Sequence, residues 1–563
     1  MKAFMRIMAL CLALAMLAAI FVACDTTDEE DEKETKNTVA TTLKPEEEDE
    51  DSDDSSNDDT NNDTNNNTND NTNNNTNNNT DNNTDNNTNN NTNNNTNNNT
   101  NNNTISKIPS QTVPPASSRP LYDSTLPENM NWGGEEYIVL GQSVAGNATW
   151  ENFEIARDER PNDIIGIAVW VRNEAIKQKY NINIKQELVT VAANQARLSY
   201  VSNEDKYDMV MYQLNSLYTD IESGYLVDLT RVNYIDFDNP AWNSYANEQL
   251  ALGTVQFAAT GDFNLQNKIQ LSCLYYNRDM FKKSDLGLLE DMVIGNTWTL
   301  DSYEKLVKAY SVDENQNGKK GEYALDAFGL VGDRWNYLNF SVGAGYRASV
   351  VTPEKITLVG DDDDVYNILS KVGNFFFDKT STFITEDVMP FNYSRSVDIF
   401  NDGRALFFAG QISDIDSKFE NVDFEIGILP FPKLDSKQED YYTQVNFSYS
   451  TLCCIPRTVV DYDFAGFGLQ TLTEYSTLTS YDAFVNTKCK FKNSVDEKMA
   501  YMYDVILENV VYDLVVIGGF GNVKSIMTSQ LPTVRNASSY AQLYKKTEDD
   551  IKGGISDLLR SIG

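Results

Sequence analysis

The 563-residue chain carries 84 acidic against 45 basic residues, a formal charge of −39, and no histidine. Without histidine, Ser-His-Asp and Cys-His nucleophilic chemistry and His-built metal centres are excluded. Without a Lys/Arg stripe there is nothing to neutralise phosphates, which excludes nucleic acid as a partner and a charged grip on anionic lipid.

At the start, Lys2 and Arg6 precede a run of about fifteen apolar residues that ends Phe21-Val22-Ala23-Cys24 and is followed by an acidic block. A positive start, an apolar stretch and a small residue before the cut read as a signal peptide over 1–23. A cysteine just after the cut makes the chain resemble a bacterial lipoprotein, with Cys24 as the lipidated N-terminus. By the usual arithmetic one acyl chain holds marginally, and two or more anchor stably.

Residues 24–118 contain almost nothing apolar: acidic blocks, then Asn-Asn-Asn-Thr repeats from about 65 to 104. Such a segment cannot repay its ordering entropy, and its period lacks the hydrophobic positions that stacked repeats bury. It reads as a disordered tether that, as a coil of roughly 90 residues, spans about 50 to 60 Å. Nearly half of the negative charge lies in it, where charge means solvation and repulsion.

From about 120 onward apolar runs alternate with helical patterns. They are EEYIVLG (Glu135 to Gly141), an amphipathic stretch from Asp163 to Lys179, NINIKQELV, YDMVMYQ, and a helix near Ser216 to Ser223. Strand-helix-strand order predicts an α/β fold with parallel, doubly wound sheets, and about 440 residues is too many for one such core, so two lobes are expected. Cys273, Cys453, Cys454 and Cys489 are too few for a disulfide framework. The adjacent Cys453 and Cys454, in an apolar run, read as core residues on opposite faces of one strand.

Seven stretches in order carry a family resemblance. They are Tyr207-Asp208-Met209-Val210-Met211-Tyr212, Gly224-Tyr225-Leu226-Val227-Asp228-Leu229-Thr230, Asn239-Pro240-Ala241-Trp242-Asn243 with Thr260-Gly261-Asp262, Leu274 to Phe281 (LYYNRDMF), Trp298 to Tyr303 (WTLDSY), Phe400 to Gly410 (FNDGRALFFAG), and Ile426 to Pro432 (IGILPFP). None is specific alone; together they are similar to the sugar-binding extracellular solute-binding proteins of ABC importers, the group of maltose-binding protein. The resemblance implies a two-lobe periplasmic-binding-protein-like fold over 119–563, with lobe 1 about 135–270 and 450–495, and lobe 2 about 275–445 and 496–563. It places the crossings near Gln270 to Tyr275 and Val445 to Ile455, with ligand held by hinge closure between the lobes.

A sugar has apolar ring faces and a rim of hydroxyls, so its site needs flat aromatics and planar polar groups. The resemblance points to Tyr212 and Asn215 past the carboxyl end of a strand, to Trp242 and Asp262, to Arg334, Trp335 and Tyr346 in the other lobe, and to Gln411 and Phe520. No catalytic residue and no cofactor are expected. The loop from Asp313 opens like a calcium loop, with Asp313, Asn315 and Asn317 at the first three ligand positions, but its second half departs from the pattern and it reads as a polar turn unless Glu322 or Asp326 swings in. The Asp361 to Asp364 run reads as a helix N-terminal cap.

The function these readings imply is a lipid-anchored, monomeric receptor on the extracellular face of a bacterial membrane, capturing an oligosaccharide and delivering it to the permease subunits of an ABC importer. The alternatives are a carboxylate-dependent glycoside hydrolase, which needs no histidine, and a surface carbohydrate-binding protein without a transport role. Peptides or other small solutes remain open as ligands.

Overall fold

Two sheets organise the chain, each built where apolar runs alternate with helices. The computed structural model describes residues 105–115, 123–143, 151–157, 159–360, 362–419 and 422–563. The signal segment, Cys24 and the Asn/Thr-rich repeats lie outside the described residues.

The first three strands, β1 (Glu135–Gln142), β2 (Ile182–Val189) and β3 (Met209–Gln213), form the parallel part of the first sheet. The chain then adds β4 (Ser272–Asn277), β5 (Phe328–Gly332), the hairpin of β6 (Ser349–Val351) and β7 (Ile356–Leu358), β8 (Thr382–Ile384), β9 (Ala405–Gln411) and β10 (Ile426–Leu429). The short β11 (Thr443–Gln444) precedes β12 (Thr451–Cys454) and pairs in parallel with the late β13 (Val510–Val511). The first sheet has the order β12-β3-β1-β2 and the second β10-β4-β9-β5-β8. β12 runs antiparallel to β3, and β4 antiparallel to both β9 and β10.

Local sequence explains where the elements begin and end. Asp163 starts the helix Ile164–Tyr180 by accepting from the Gly166 amide, and Asn181 ends it in the left-handed conformation at φ 55°. Thr299 and Ser302 cap Leu300–Ala309 reciprocally, with Asp301 in the first turn where the helix dipole favours an acid. Asp362 caps Asp363–Phe376 through the Val365 amide, as the acidic run suggested. β3 is buried on both faces from Met209 to Tyr212, the continuous apolar reading a helix-covered parallel strand requires. Cys453 and Cys454 are fully buried in β12, where successive side chains point to opposite faces.

The passages between the sheets differ from expectation. Ala259 still exchanges 3.0 Å backbone hydrogen bonds with Cys453 in the first half, whereas the Ile269 and Leu271 carbonyls already accept from Ser413 and Ile412 in the second. The outgoing crossing is therefore the segment 260–268, and the expected crossing at Gln270 to Tyr275 is the start of an inner strand, β4. The return ends at Ser450, because Thr451 is in β12. The segment after Asp496, expected wholly in lobe 2, touches both halves: Phe520 lies 6.1 Å from the Tyr218 ring of the first half, and Asp513 accepts from the Ala348 amide of the second at 2.6 Å.

One buried cation ties the second half together. Arg278, just after β4, is almost fully buried and contacts Glu290 at 3.1 Å, Glu425 at 2.7 Å and Asp496 at 2.7 Å. Tyr276 donates to Glu290 at 2.5 Å. Removing the cation would leave the buried Glu290 carboxylate uncompensated. Arg278→Ala is expected to lose about 3 to 5 kcal/mol in urea unfolding, whereas a midpoint within error of wild type would show that the network carries no stability.

Candidate functional site

In open α/β sheets the carboxyl ends of parallel strands collect the loops that hold ligand. Four such ends converge in sequence terms on the residues of interest: β3 runs into Leu214 and Asn215, β5 into Asp333-Arg334-Trp335, β8 into Thr385-Glu386-Asp387, and β9 ends at Gln411. A cavity of about 250 Å³ opens between the halves, with Phe153, Asp163 and Ile165 on one wall and Ile412, Ser413 and Asp416 on the other.

An aromatic cluster, none of whose residues lines that cavity, lies on the second half and the return crossing. Trp335 is half-buried with its ring edge-on to Phe447, centroids 6.4 Å apart, and the Lys524 ammonium sits 4.9 Å from the Phe447 centroid. Beyond β8, Phe391 (42% exposed) and Tyr393 (64% exposed) hold their rings 4.3 Å apart beside the still more exposed Met389. Burial raises the Tyr393 phenol, and the charges of Glu386 and Asp333 and the nearby Tyr449 raise it further, so this loop faces the same acidic pair. Burial also raises Asp333 and Glu386, and each raises or senses its acidic neighbours while Lys418 opposes the effect at Asp333. Hydrogen bonds from Thr385 and Trp335 to the Asp333 carboxylate oppose its rise, and its buried Oδ1 atom has no hydrogen-bond partner among the described residues. The group is rich in acceptors and flanked by flat rings, an arrangement suited to a neutral, hydroxyl-bearing solute.

Of the residues singled out by sequence, Trp335, Asn215 and Gln411 lie at these strand ends; Asn215 is exposed, and the Gln411 amide donates to Asp414 Oδ2 at 2.9 Å. Arg334 lies there too, but as a brace. Its amide donates to Glu386 Oε2 at 3.0 Å and its guanidinium to Thr533 at 3.0 Å and Asp387 at 3.3 Å, while Asp387 also pairs with Arg535.

Five expectations are corrected because packing uses the side chain. Tyr212 is fully buried and donates to Asp220 Oδ2 at 2.6 Å, and Asp220 in turn accepts from Arg197 at 2.7 Å, so no ring face is open. Trp242 is a core residue whose Nε1 donates to Gln470 at 2.9 Å, with Phe237 at 5.1 Å. Tyr346 is buried with its hydroxyl 3.0 Å from that of Tyr540. Asp262 is buried and accepts from Thr477 at 2.7 Å. The half-buried Phe520 packs on Tyr218, ring centroids 6.1 Å apart. Sequence reading missed Asp333, Glu386, Phe391, Tyr393, Phe447 and Lys524. Their one available signal was two aromatics set among polar residues in Asn446-Phe447-Ser448-Tyr449-Ser450 and again in Phe391-Asn392-Tyr393-Ser394.

The loop after Asp313 folds on itself. The Asp313 carboxylate accepts from the amides of Asn317 at 3.2 Å and Gly318 at 2.7 Å, and Asn315 and Asn317 donate their side-chain amides to Glu322 at 3.1 and 2.6 Å. Glu322 thus does turn inward. Among the described residues no cluster of three or more acidic or cysteine side chains is placed to hold a metal ion, and no helix is long and apolar enough to cross a membrane.

Residues 173–462, more than half of the chain, match the family described as bacterial extracellular solute-binding protein. The chain belongs to this family. No curated protein sequence matches it. Among solved structures it is similar to a cyclo/maltodextrin-binding protein complexed with maltotetraose (TM-score 0.48, 11% identity, covering 76% of this chain and 97% of that one). It is also similar to the maltose-binding periplasmic protein from Listeria monocytogenes in complex with maltose (TM-score 0.46, 13% identity, 76% and 98%). A third is the apo form of RafE from Streptococcus pneumoniae (TM-score 0.45, 16% identity, 76% and 97%).

In this solute-binding protein the crossing also carries a titratable group. Glu154 is fully buried and accepts from the Gln266 amide of the outgoing crossing at 3.3 Å and from Asn152 at 3.3 Å, while its Oε2 has no hydrogen-bond partner among the described residues. Burial pushes its carboxyl up to about 7, with these hydrogen bonds and the charge of the buried Arg172 opposing the rise. A carboxyl raised in the fold binds a proton that the unfolded chain releases at its ordinary value of 4.5. Stability from this group is therefore highest below pH 4.5 and falls as pH rises toward 7, by on the order of 3 kcal/mol. Glu154→Gln is expected to flatten that part of the stability profile between pH 5 and 8; an unchanged slope would remove Glu154 as its source.

Proposed function

We propose that this solute-binding protein is a lipid-anchored receptor that captures a carbohydrate, an oligosaccharide, between its two halves and delivers it to an ABC importer. The observation that carries the reading is the grouping of flat rings with carboxylates at strand ends of the second half: Trp335 against Phe447, and Tyr393 beside Asp333 and Glu386. Trp335 and Tyr393 would cover apolar sugar faces, and Asp333 and Glu386 would accept from the hydroxyl rim. Asn215 and Gln411 would complete hydrogen bonds to the solute, and Arg334 would keep the Glu386-Asp387 turn in position. No bond is made or broken in this role. Export and lipidation at Cys24 would hold the monomeric receptor at the outer membrane surface, with the Asn/Thr-rich tether supplying reach, and the importer's permease subunits would be its partners.

A thermal-shift screen over oligosaccharides tests the ligand class, since a solute that binds only the folded state raises the melting point with its affinity. A carbohydrate is expected to stabilise the protein and to be recovered intact, whereas stabilisation by peptides alone would refute the reading, and turnover would convert it to a hydrolase. With that glycan, Trp335→Ala and Asp333→Asn should each weaken binding roughly tenfold, about 1.4 kcal/mol, and Trp242→Phe should change affinity little. Equal affinity in the first two variants would move the site elsewhere.

A further inference from the structure

Residues 105–115 are seated on the second half, far in sequence from everything they touch. Ile108 is 8% exposed and donates its amide to the Leu286 carbonyl at 2.7 Å. The Gln111 amide donates to Asp291 Oδ1 at 2.6 Å, and Lys498 reaches both Asp291 at 2.7 Å and Ser110 Oγ at 3.2 Å. The receiving surface is shaped for this segment. Gly287 has φ +110°, a conformation L side chains rarely adopt, and a Cβ there would stand 3.0 Å from the Ile108 carbonyl oxygen. Pro109, Pro114 and Pro115 favour an extended course.

A few residues later the chain belongs to the first half. Leu126 is buried, Trp132 packs on Phe464 and Phe467 with centroids 5.1 and 5.5 Å away, and β1 follows. The last hydrogen bond of this seat is at Gln111 and the first buried residue of the other is Leu126. Fifteen peptide steps between them reach at most about 54 Å.

We propose that residues 105–115 are an intramolecular strap: docked on the Leu286-Gly287, Asp291 and Lys498 surface, they tie the second half to the first across the seam and restrain its opening. Parting the halves beyond the covalent reach of the intervening stretch requires the strap to let go. Release exposes Ile108 and takes a donor from the buried Asp291 carboxylate. The strap also seats residues 105–111 on the second half rather than on the first, where β1 begins. The inference is independent of which solute is bound.

Spin labels at Leu198→Cys on the first half and Tyr366→Cys on the second, in the full chain carrying Cys24→Ser, report the separation of the halves; both sites are exposed, and the four described native thiols are buried. Ile108→Asp and Gly287→Val are expected to lengthen and broaden the inter-label distance distribution. Hydrogen exchange in the same variants should show the amides of Ile108 and Gln111 losing protection roughly tenfold or more. The proposal is overturned if those amides lose protection while the distances stay as in the parent. It is equally overturned if, in the parent chain, they already exchange as fast as in the free peptide.

Discussion

A small set of buried carboxamides fastens the outgoing crossing to the first sheet. Asn264 donates to the Thr451 carbonyl at 2.6 Å, the Thr451 amide donates to Asn267 Oδ1 at 2.8 Å, and Asn152 donates to the Thr451 hydroxyl at 3.0 Å. Asn267 reaches on to Tyr512 at 3.2 Å, which brings in the late segment. Two chain segments leave sheets here with backbone groups that must be satisfied, and side-chain amides satisfy them with direction as well as energy. Each bond adds about 1 kcal/mol net, but an unmade one costs more than that. The junction is therefore defined in geometry without being a rigid apolar core, the condition a hinge needs.

The same junction explains the electrostatics. Glu154 shares its site with Asn152 and the Gln266 amide, and burial rather than a charge partner dominates its raised pKa. Asp333 and Glu386 lie at strand ends of the second half, and burial likewise dominates theirs. Carboxylates kept in such surroundings are strained toward protonation unless a donor arrives, and a solute bearing hydroxyls supplies donors without bringing a charge that must itself be desolvated.

Sequence carried the fold further than the site. The parallel strands were legible as apolar runs between helical patterns, and the ordered family stretches pointed to two halves. Tyr212 shows why the site was harder. Its position at the end of β3 follows from pattern, but a strand buried on both faces offers no alternation to say which side chains look toward solvent. Trp242 and Tyr346 failed for the related reason that an aromatic-rich chain uses rings as core, and only partners such as Gln470 and Tyr540 reveal it. Trp335 could be singled out because it follows a strand end directly. Phe391, Tyr393 and Phe447 sit on loops whose course is set by tertiary contacts, which no periodicity encodes. The crossing was misplaced by a few residues for the same cause: Gln270 to Tyr275 runs into β4, which pairs inside the second sheet, and does not pass between sheets.

The central claim is that two hinged halves close on a solute at their seam. Small-angle X-ray scattering of the protein with and without a saturating glycan tests it most directly. The account predicts a smaller radius of gyration and a shortened maximum dimension of the folded body on binding. An unchanged scattering profile at full occupancy would contradict it.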